Sequence, residues 1–235
     1  MHLFLTDNTD GSYATLPPEE SKHCIRVMRL AFGDEIWVTS GNGSMCRARI
    51  SLPDDKACEV EILERLDNYQ PRPFRLHAAV APTKNSARLE WFVEKAVEIG
   101  IDDITLLVCD HSERAKQNTD RLRKIIDSAM KQSLKAARPA LHGPLPILDF
   151  LRQNTDMCRM VCHCDGDSRR TLHEVYAPGR DALILIGPEG DFSDREIRAA
   201  LDLGFLPVTL GPCRLRTETA ALYAVTALNF MNENL

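Results

Sequence analysis

The chain lacks the sequence features of membrane proteins and of disulfide-stabilised secreted proteins. No apolar run among its 235 residues reaches the ~20 residues that a membrane-spanning helix needs. Residues 1–7 lack the basic region and the long apolar stretch of a secretory signal peptide. The eight cysteines are scattered, mostly in apolar stretches, as is typical of reduced thiols. We therefore expect a cytoplasmic protein without a membrane partner.

A metal site is not indicated either. Thiolates and imidazole bind zinc, and Cys158, Cys162, His163 and Cys164 lie close together in the sequence. However, the segment that ends at Cys162 is typical of a buried strand, in which alternate side chains point to opposite faces. No second cysteine pair with CxxC spacing completes a set of four ligands. We therefore predict that the chain holds no metal.

Two common nucleotide-binding motifs are missing as well. Apolar strands run into Gly-Pro turns at Gly187 and at Gly211, but neither turn is followed by the Lys-Ser/Thr pair of a P-loop. Neither turn matches the GxGxxG pattern of dinucleotide-binding folds. These absences argue against a nucleotide hydrolase. They leave open a ligand such as an adenine ring, held by main-chain amides and carbonyls, and the alternative of two tight turns that bind nothing.

The net charge of −5 by itself argues against a protein that binds polyanions. The charge is unevenly distributed, however, because residues 1–70 carry −5, residues 71–140 carry +4 and residues 141–235 carry −4. A basic tract can hold a phosphate backbone whatever the overall charge. The alternative is a solvated helix face, which is the more common role of such a tract. The tract comprises Arg114, Lys116, Arg121, Arg123, Lys124, Lys131, Lys135 and Arg138.

The prolines at Pro71 and Pro73, beside polar residues, predict a linker between two domains. Before it, short strands and one helix predict a small β-barrel over residues 1–70. After it, strands and helices alternate, which predicts a mostly parallel sheet covered on both faces over residues 71–235. The predicted strands are 36–39, 45–50, 57–63, 76–80, 104–109, 160–162, 183–186 and 207–210, and the predicted helices are 19–29, 88–99, one capped by Thr119, 194–203 and 217–229.

The most informative stretch is a strand, a glycine turn and a helix start in succession. Residues 183–186 form a short, non-alternating apolar run, which is typical of a strand buried on both faces. Gly187 and Gly190 permit close approaches that a side chain would block. Ser193 followed by Glu196 is a capping box that begins a helix. Together they place free N–H groups at the carboxyl end of a parallel strand, where α/β folds bind ligands.

A second unit of the same kind follows, because an apolar strand at 208–210 leads through Gly211 and Pro212 to a helix that begins at Thr217. Together the two units resemble the signature of the ribosomal RNA small subunit methyltransferase E family, within the SPOUT superfamily of knotted methyltransferases. The matching residues are 186–190, 210–211, 215–220, Lys84, Arg88, Lys95, Glu98, Gly100, 112–114, 132–133, His23, Arg26, Val27 and Arg29.

The chain departs from the family pattern at two places. Relatives often have glycine where Asp191 stands, and an acid beside a helix N-terminus is electrostatically favourable. Relatives commonly carry Glu-Gln-Ser-Gly-Arg where residues 131–135 read Lys-Gln-Ser-Leu-Lys, which adds positive charge to a helix expected to face RNA. Neither change removes the core motif.

The resemblance implies a fold, a cofactor, a reaction and a partner. The fold would be a small PUA-like RNA-binding β-barrel followed by an α/β SPOUT-type parallel sheet with a C-terminal trefoil knot, a rare exception to the rule against threading. The protein would be a homodimer that binds S-adenosyl-L-methionine in the knot. It would methylate N3 of a uridine in 16S ribosomal RNA, uridine 1498 in the usual count, so its partner would be that RNA or the small ribosomal subunit. Another SPOUT activity, such as ribose 2′-O or guanine methylation, and a non-catalytic RNA-binding assembly factor are the alternatives.

By the same resemblance, the two Gly-Pro turns form the walls of the cofactor pocket, and the strand end near residues 162–164 contributes to it. The cofactor-binding residues would be Leu185, Gly187, Pro188, Glu189, Gly190, Leu210, Gly211, Leu215, Thr217 and Ala220.

The chemistry of uridine methylation indicates which side chains could be catalytic. Uridine N3 carries a proton with a pKa of roughly 9, so a base or a cation that stabilises the uridinate is required. We predict that Arg216 stabilises the developing negative charge, because a guanidinium stays charged and offers forked donors. Glu189 and Glu218 are the candidate bases. The alternatives are a salt bridge for Arg216 and a helix-dipole contact for Glu218.

RNA contacts are predicted in both domains. His23, Arg26 and Arg29 lie three apart on a predicted helix and would share one face, which would guide the RNA or simply be the polar face of an amphipathic helix. The predicted RNA-binding residues are His23, Arg26, Arg29, Lys84, Arg88, Arg114, Arg121, Arg123, Lys124, Lys131, Lys135 and Arg138.

Overall fold

The structure, a computed structural model, describes residues 2–113, 117–153, 156–164 and 169–233. The chain forms two compact units, each built on its own sheet. The first unit comprises residues 1–71 and 127–138, and the second comprises residues 72–126 and 139–235. From the sequence we place residues 127–138 in the second domain, whereas in the structure they pack in the first unit.

The first unit is built on a five-stranded mixed sheet that curls into a half-barrel. Its strands are β1 (Leu3–Leu5), β2 (Tyr13–Thr15), β3 (Glu35–Thr39), β4 (Met45–Leu52) and β5 (Glu59–Leu66). The order is β1-β3-β4-β5-β2, with β1 parallel to β3 and the other neighbours antiparallel. Phe4, Ile36, Val38 and Ile50 are central to its core. The sequence predicts β3, β4 and β5 but misses β1 and β2, which are too short to show a periodic pattern.

Residues 127–138 belong to the first unit because their main chain bonds to the segment between β3 and β4. Ala136 O accepts hydrogen bonds from Thr39 Oγ1 (3.2 Å) and from Gly43 N (3.0 Å). Arg138 N donates to Gly41 O (2.9 Å). The turn between β3 and β4 is therefore held by a segment 97 residues further along the chain.

The predicted helix over 19–29 is wrong in its second half. Helix α1 (Pro18–Lys22) is followed by a wider π-helical turn over His23–Val27, in which Met28 N donates to His23 O (2.9 Å). Arg29 then leaves the helix in a left-handed conformation, with φ 58°. The basic residues in this segment therefore do not share one helix face, because a three-residue spacing returns to the same side only with α-helical winding.

The second unit is an α/β layer structure with a seven-stranded sheet in which every neighbouring pair is parallel. Its strands are β6 (Leu76–Val80), β7 (Asp103–Val108), β8 (Ala140–Pro146), β9 (Cys158–Cys162), β10 (Arg170–Thr171), β11 (Ala182–Ile186) and β12 (Leu206–Thr209). The helices that follow them are α2 (Ser86–Ile99), α3 (Thr119–Gln132), α4 (Ile147–Leu151), α5 (Leu172–Val175), α6 (Asp194–Asp202) and α7 (Thr217–Phe230). The predicted α/β class, with a parallel sheet that follows a small PUA-like unit, is confirmed.

Helices cover both faces of this sheet. Helices α4 and α6 pack together over one face, where Leu107, Val161 and Leu185 contribute to the core. Helices α2 and α7 pack together, and α7 lies on β6 and β11. All five residues of β11 are buried, as the sequence predicts for a strand covered on both faces. None of the helices in the described ranges is long and apolar enough to span a bilayer.

The order of the strands brings three strand ends together. The order is β10-β12-β9-β11-β6-β7-β8, so β11 lies between β6 and β9, and β12 pairs with the far side of β9. The carboxyl ends of β9, β11 and β12 are therefore neighbours at one edge of a parallel sheet. In α/β folds this edge is the usual place for a ligand.

His77 in β6 makes the stability of the second unit depend on pH. Its Nε2 lies 2.8 Å from Thr105 Oγ1, and its ring packs edge-on against Phe150 at 5.5 Å. Burial is the main cause that lowers the pKa of His77 to about 4 from its ordinary 6.5. The charges of His142 and Arg75 also lower this pKa, whereas the charge of Asp103 raises it. The unfolded chain therefore binds more protons between pH 6.5 and pH 4. The stability that neutral His77 contributes is complete above pH 6.5 and is lost as the pH falls through this range.

We expect His77→Gln to remove this dependence, which amounts to about 3 kcal/mol between pH 7 and pH 4. The measurement is the free energy of unfolding in urea at several pH values. The matched control is His2→Gln, which removes an exposed imidazole. An unchanged pH slope in His77→Gln would contradict the assignment.

Candidate active site

The two Gly-Pro turns meet in space and form the walls of one cleft. The cleft has a volume of about 810 Å³ and opens at the carboxyl ends of β9, β11 and β12. Residues 186–191 supply one wall, residues 208–217 supply the other, and residues 162–164 enter between them. Within the described ranges, no group of three or more His, Cys, Asp or Glu side chains is arranged to hold a metal ion.

The predicted cofactor residues fall on these walls with one exception. Leu185 is fully buried and belongs to the apolar core under α4 and α6, so it does not line the cleft. The predicted residues that line the cleft are Gly187, Pro188, Glu189, Gly190, Leu210, Gly211, Leu215, Thr217 and Ala220.

Close packing explains the glycines of the first turn. A Cβ at Gly187 would lie 3.2 Å from Phe192 N, and a Cβ at Gly190 would lie 3.2 Å from His111 Cβ. Both distances are tighter than ordinary van der Waals contact, so a side chain at either position would push the turn outward.

A hydroxyl group joins the two walls. Thr217, the first residue of α7, is buried, and its Oγ1 donates to Gly187 O at 3.1 Å. The contact links the helix that follows one turn to the main chain of the other turn. The two turns are therefore fixed relative to each other by a buried hydrogen bond.

The start of α6 is satisfied by its own side chains. Ser193 N donates to Glu196 Oε2 (2.8 Å) and Glu196 N donates to Ser193 Oγ (3.4 Å), which confirms the predicted capping box. Glu196 is buried, and its Oε1 also accepts from Asp110 N (2.8 Å). The hydrogen bond from Ser193 Oγ and the charge of Arg195 hold the pKa of Asp110 below its usual value. These contacts occupy the amides of Ser193 and Glu196 at the start of α6.

Comparison with known proteins identifies the family of this fold and cleft. The family model of the RNA methyltransferase domain matches residues 70–229, which include the whole cleft, and the model of the RNA methyltransferase PUA domain matches residues 16–63. The chain belongs to the RNA methyltransferase family.

Individual relatives agree with this family. Ribosomal RNA small subunit methyltransferase E of Buchnera aphidicola is 26% identical, over 97% of this chain and 92% of that protein. The crystal structure of a probable rRNA-methyltransferase from Porphyromonas gingivalis is 40% identical, covers 99% of this chain and 98% of that one, and has a TM-score of 0.92. A Legionella pneumophila protein solved with the cofactor SAM is 28% identical, covers 98% of this chain and 97% of that one, and has a TM-score of 0.86. The predicted membership of the ribosomal RNA small subunit methyltransferase E family is confirmed.

Arg216 is placed at the junction of the second turn and α7 in this methyltransferase fold. It is the residue before the first turn of α7, it is exposed, and it lines the cleft with Arg169 and Arg214. Arg216 forms no ion pair with any residue that the structure describes. Its guanidinium is therefore available to a ligand, and the salt bridge considered as an alternative is absent from the described part of the chain.

The two candidate bases differ in position. Glu189 is exposed and lines the cleft, and its Oε1 accepts from Lys84 N at 3.0 Å. Glu218 is buried in the first turn of α7, outside the cleft lining, and its Oε1 lies 3.6 Å from Arg88 Nε. An acid in the first turn of a helix interacts favourably with the helix dipole, so the position of Glu218 fits the alternative role of a helix-dipole contact.

Most of the predicted RNA-binding cations are ion-paired within the chain. Lys131 pairs with Glu20 in the first unit, and both side chains are largely buried. The role of this ion pair is therefore to hold the unit together. Arg114, together with Lys116 of the same tract, lies outside the described residues. Lys124 and Lys135 lie in the described part, and each of them has an interaction partner. The other pairs are Arg26–Asp55, Lys84–Glu113, Arg88–Glu218, Arg121–Glu90, Arg123–Asp120 and Arg138–Asp127.

The cap of α3 also differs from the prediction. Thr119 is the first residue of the helix, and the side chain that caps it is Asn118, whose Oδ1 accepts from Arg121 N at 3.0 Å. Both residue types are good caps, so sequence alone places this boundary only to within one residue.

Sequence reasoning missed several residues around the cleft. Arg169 and Arg214 line it, and His111 contacts the first turn through its ring nitrogen. His111 is 79 residues from Gly190 in the chain, and no local pattern predicts such a contact. A cleft built from three strand ends is visible only once the strand order is known.

Proposed function

We propose that the protein methylates N3 of a uridine in 16S ribosomal RNA, at the site corresponding to uridine 1498, with S-adenosyl-L-methionine as the methyl donor. The observation that carries the proposal is the single cleft between two Gly-Pro turns at three neighbouring strand ends. Its volume of about 810 Å³ is typical of small-molecule sites. The name of the Buchnera relative and the SAM bound to the Legionella relative support the same activity.

The residues of the cleft suit a ligand that the main chain holds. A Cβ at Gly211, where φ is 111°, would enter open space, since no heavy atom lies within 4 Å of it. The main chain of this turn is therefore accessible from the cleft. The residues that would hold the cofactor are Gly187, Gly190, Leu210, Gly211, Leu215 and Thr217. When bound, S-adenosyl-L-methionine supplies an electrophilic methyl group.

Two side chains of the cleft assist the removal of the proton from uridine N3. Arg216 stabilises the negative charge that develops on the uracil oxygens as this proton leaves, because a guanidinium donates hydrogen bonds to two acceptors at once. Glu189 is the better placed base, since its carboxylate is in the cleft and that of Glu218 is not. The remaining contribution of the protein is to hold the nucleophile in line with the methyl group.

The proposed activity assigns roles to the two parts of the chain. Residues 1–70 act as the PUA-like RNA-binding domain and residues 71–235 as the SPOUT methyltransferase domain, apart from residues 127–138, which pack in the first unit. The spans of the two family models support this assignment. The partner is 16S ribosomal RNA or the small ribosomal subunit, which places the protein in the cytoplasm. The trefoil knot belongs to this proposal, and the passage of β12 to the far side of β9 supports it.

The protein is proposed to act as a homodimer through α2 and α7. Helix α7 is apolar on its outer side as well as on its inner side, with Tyr223 51% and Phe230 68% exposed, and Trp91 of α2 is 43% exposed. A helix that is apolar all round is normally buried. Sedimentation equilibrium should give a dimer for the wild type and a monomer for Tyr223→Glu. A monomeric wild type would refute this part of the proposal.

The activity is tested with purified protein, labelled S-adenosyl-L-methionine and small ribosomal subunits from a strain without the enzyme. Nucleoside mass spectrometry of the digested RNA should show 3-methyluridine. Label on a ribose 2′-oxygen or on guanine would identify a different SPOUT activity. A protein that binds RNA but neither binds nor consumes the methyl donor would be an assembly factor.

A further inference from the structure

Asp191 occupies a conformation that few side chains adopt. It follows the first Gly-Pro turn with φ 62°, in the left-handed region, and its N donates to Pro188 O at 3.0 Å. Glycine adopts this conformation without strain, and aspartate is one of the few other residues that tolerate it. What aspartate adds over glycine at this position is therefore the contacts of its carboxylate.

The contacts of Asp191 join three loops. Its Oδ2 accepts from Cys164 N (2.6 Å) in the loop after β9, and its Oδ1 accepts from Phe192 N (2.8 Å). Its main-chain O faces His111 Nδ1 (3.0 Å) in the loop after β7, and Gly190 O lies 3.1 Å from the same nitrogen. Since both partners of Nδ1 are carbonyl oxygens, this nitrogen carries the hydrogen and donates it.

Two of these three loops line the cleft. Asp191 and Gly190 line it on one wall, and Cys164 belongs to residues 162–164, which enter between the two Gly-Pro walls. Asp191 is partly buried, and both of its carboxylate oxygens accept hydrogen bonds from main-chain amides, which are stronger than hydrogen bonds between neutral groups. Without the carboxylate, the hydrogen bond that joins Asp191 to the main chain of Cys164 is lost.

We infer that Asp191 is a positioning residue for the methyl donor, which fixes residues 162–164 at the carboxyl end of β9 as the third wall of the cleft. The inference rests on the proposed function for the identity of the ligand, and on the geometry of the three loops for the role of the residue. A fixed wall lowers the entropy that the protein loses when the ligand binds, so it raises affinity without a direct contact.

The test compares Asp191→Gly with the wild type. Glycine keeps the main-chain conformation, so the variant should fold and melt like the wild type while it loses the link to Cys164. We expect the Kd for S-adenosyl-L-methionine, measured by calorimetry, to rise about tenfold. In turnover with small ribosomal subunits, KM for the methyl donor should rise in parallel, whereas kcat and the affinity for RNA should change little. Asp191→Asn, which keeps one acceptor oxygen and tolerates the same φ, should recover part of the affinity.

The matched control is Asp194→Asn, which neutralises an exposed acid three residues further on. It should leave Kd and KM unchanged. An Asp191→Gly variant with the Kd of the wild type would overturn the inference, and so would equal losses in Asp191→Gly and Asp194→Asn.

Hydrogen exchange separates this inference from the proposed function. The amide of Cys164 should exchange about tenfold faster in ligand-free Asp191→Gly than in the ligand-free wild type. Unchanged exchange would refute the link between the loops whatever the ligand is. A wild type that does not bind S-adenosyl-L-methionine, together with faster exchange in the variant, would instead refute the proposed function and leave the link intact.

Discussion

Replacing Arg216 with alanine is expected to lower kcat for uridine methylation by roughly 10²–10³-fold, the usual cost of removing one donor that stabilises a developing anion. Arg216 is exposed, lines the cleft and forms no ion pair in the described part of the chain. Its removal therefore leaves no buried partner unsatisfied, and the fold and the Kd for the methyl donor should be preserved. The measurement is single-turnover methylation of small ribosomal subunits.

The pH dependence of the variant gives a sharper test of this role. If Arg216 stabilises the uridinate, its loss should matter less as the pH approaches the pKa of free uridine, roughly 9, because the proton then leaves without help. The rate of Arg216→Ala should therefore rise with pH more steeply than that of the wild type. Arg216→Lys keeps the charge but not the forked donors, so it should recover only part of the rate.

Arg198 on α6 provides the matched control. It is an exposed arginine outside the cleft lining. Arg198→Ala should leave kcat unchanged. Near-normal turnover by Arg216→Ala would remove this residue from the mechanism and leave Glu189 as the remaining candidate for N3 deprotonation.

Local sequence patterns predict those elements of the second unit that depend only on neighbouring residues or that are buried along their whole length. The strand predicted at residues 183–186 is β11, which is buried on both faces and therefore reads as a continuous apolar run. The capping box at Ser193 and Glu196 forms as predicted because it needs only residues within one helical turn. Strand β8, in contrast, contains Gly143 and two prolines, which in most contexts mark a turn. It tolerates them because it lies at the edge of the sheet and pairs only with β7.

The rest of the site depends on chain topology, which a single sequence does not encode locally. Insertion of β11 between β6 and β9 is what brings residues 162–164 to the Gly-Pro turns. The apolar positions of α3 predict a buried face but not which core receives it, and its last turns join the first unit. The charge pattern of the sequence also predicts more free basic side chains than the described part of the structure has, because several of their ion-pair partners lie far away in the chain. Lys131 is held by Glu20, a residue that is 111 positions away in the chain.

Glu196 is expected to be the most sensitive position for stability among the acids near the cleft. The residue is 1% exposed, and its carboxylate accepts from Asp110 N and from Ser193 N, each at 2.8 Å. Glu196→Ala would leave both amides without an acceptor and would open a cavity at the start of α6. We expect a loss of about 3 kcal/mol in the free energy of unfolding, since each buried unsatisfied group costs roughly 1–3 kcal/mol.

The same substitution should weaken binding of the methyl donor, because Glu196 ties the loop after β7 to the helix that follows the first Gly-Pro turn. Urea unfolding measures the first effect and calorimetry the second. Glu196→Gln retains one acceptor oxygen and should lose about half as much stability. Asp202→Ala, at an exposed position of the same helix, should change stability by no more than about 0.5 kcal/mol. If Glu196→Ala and Asp202→Ala unfold at the same urea concentration, the buried carboxylate does not organise this edge of the cleft.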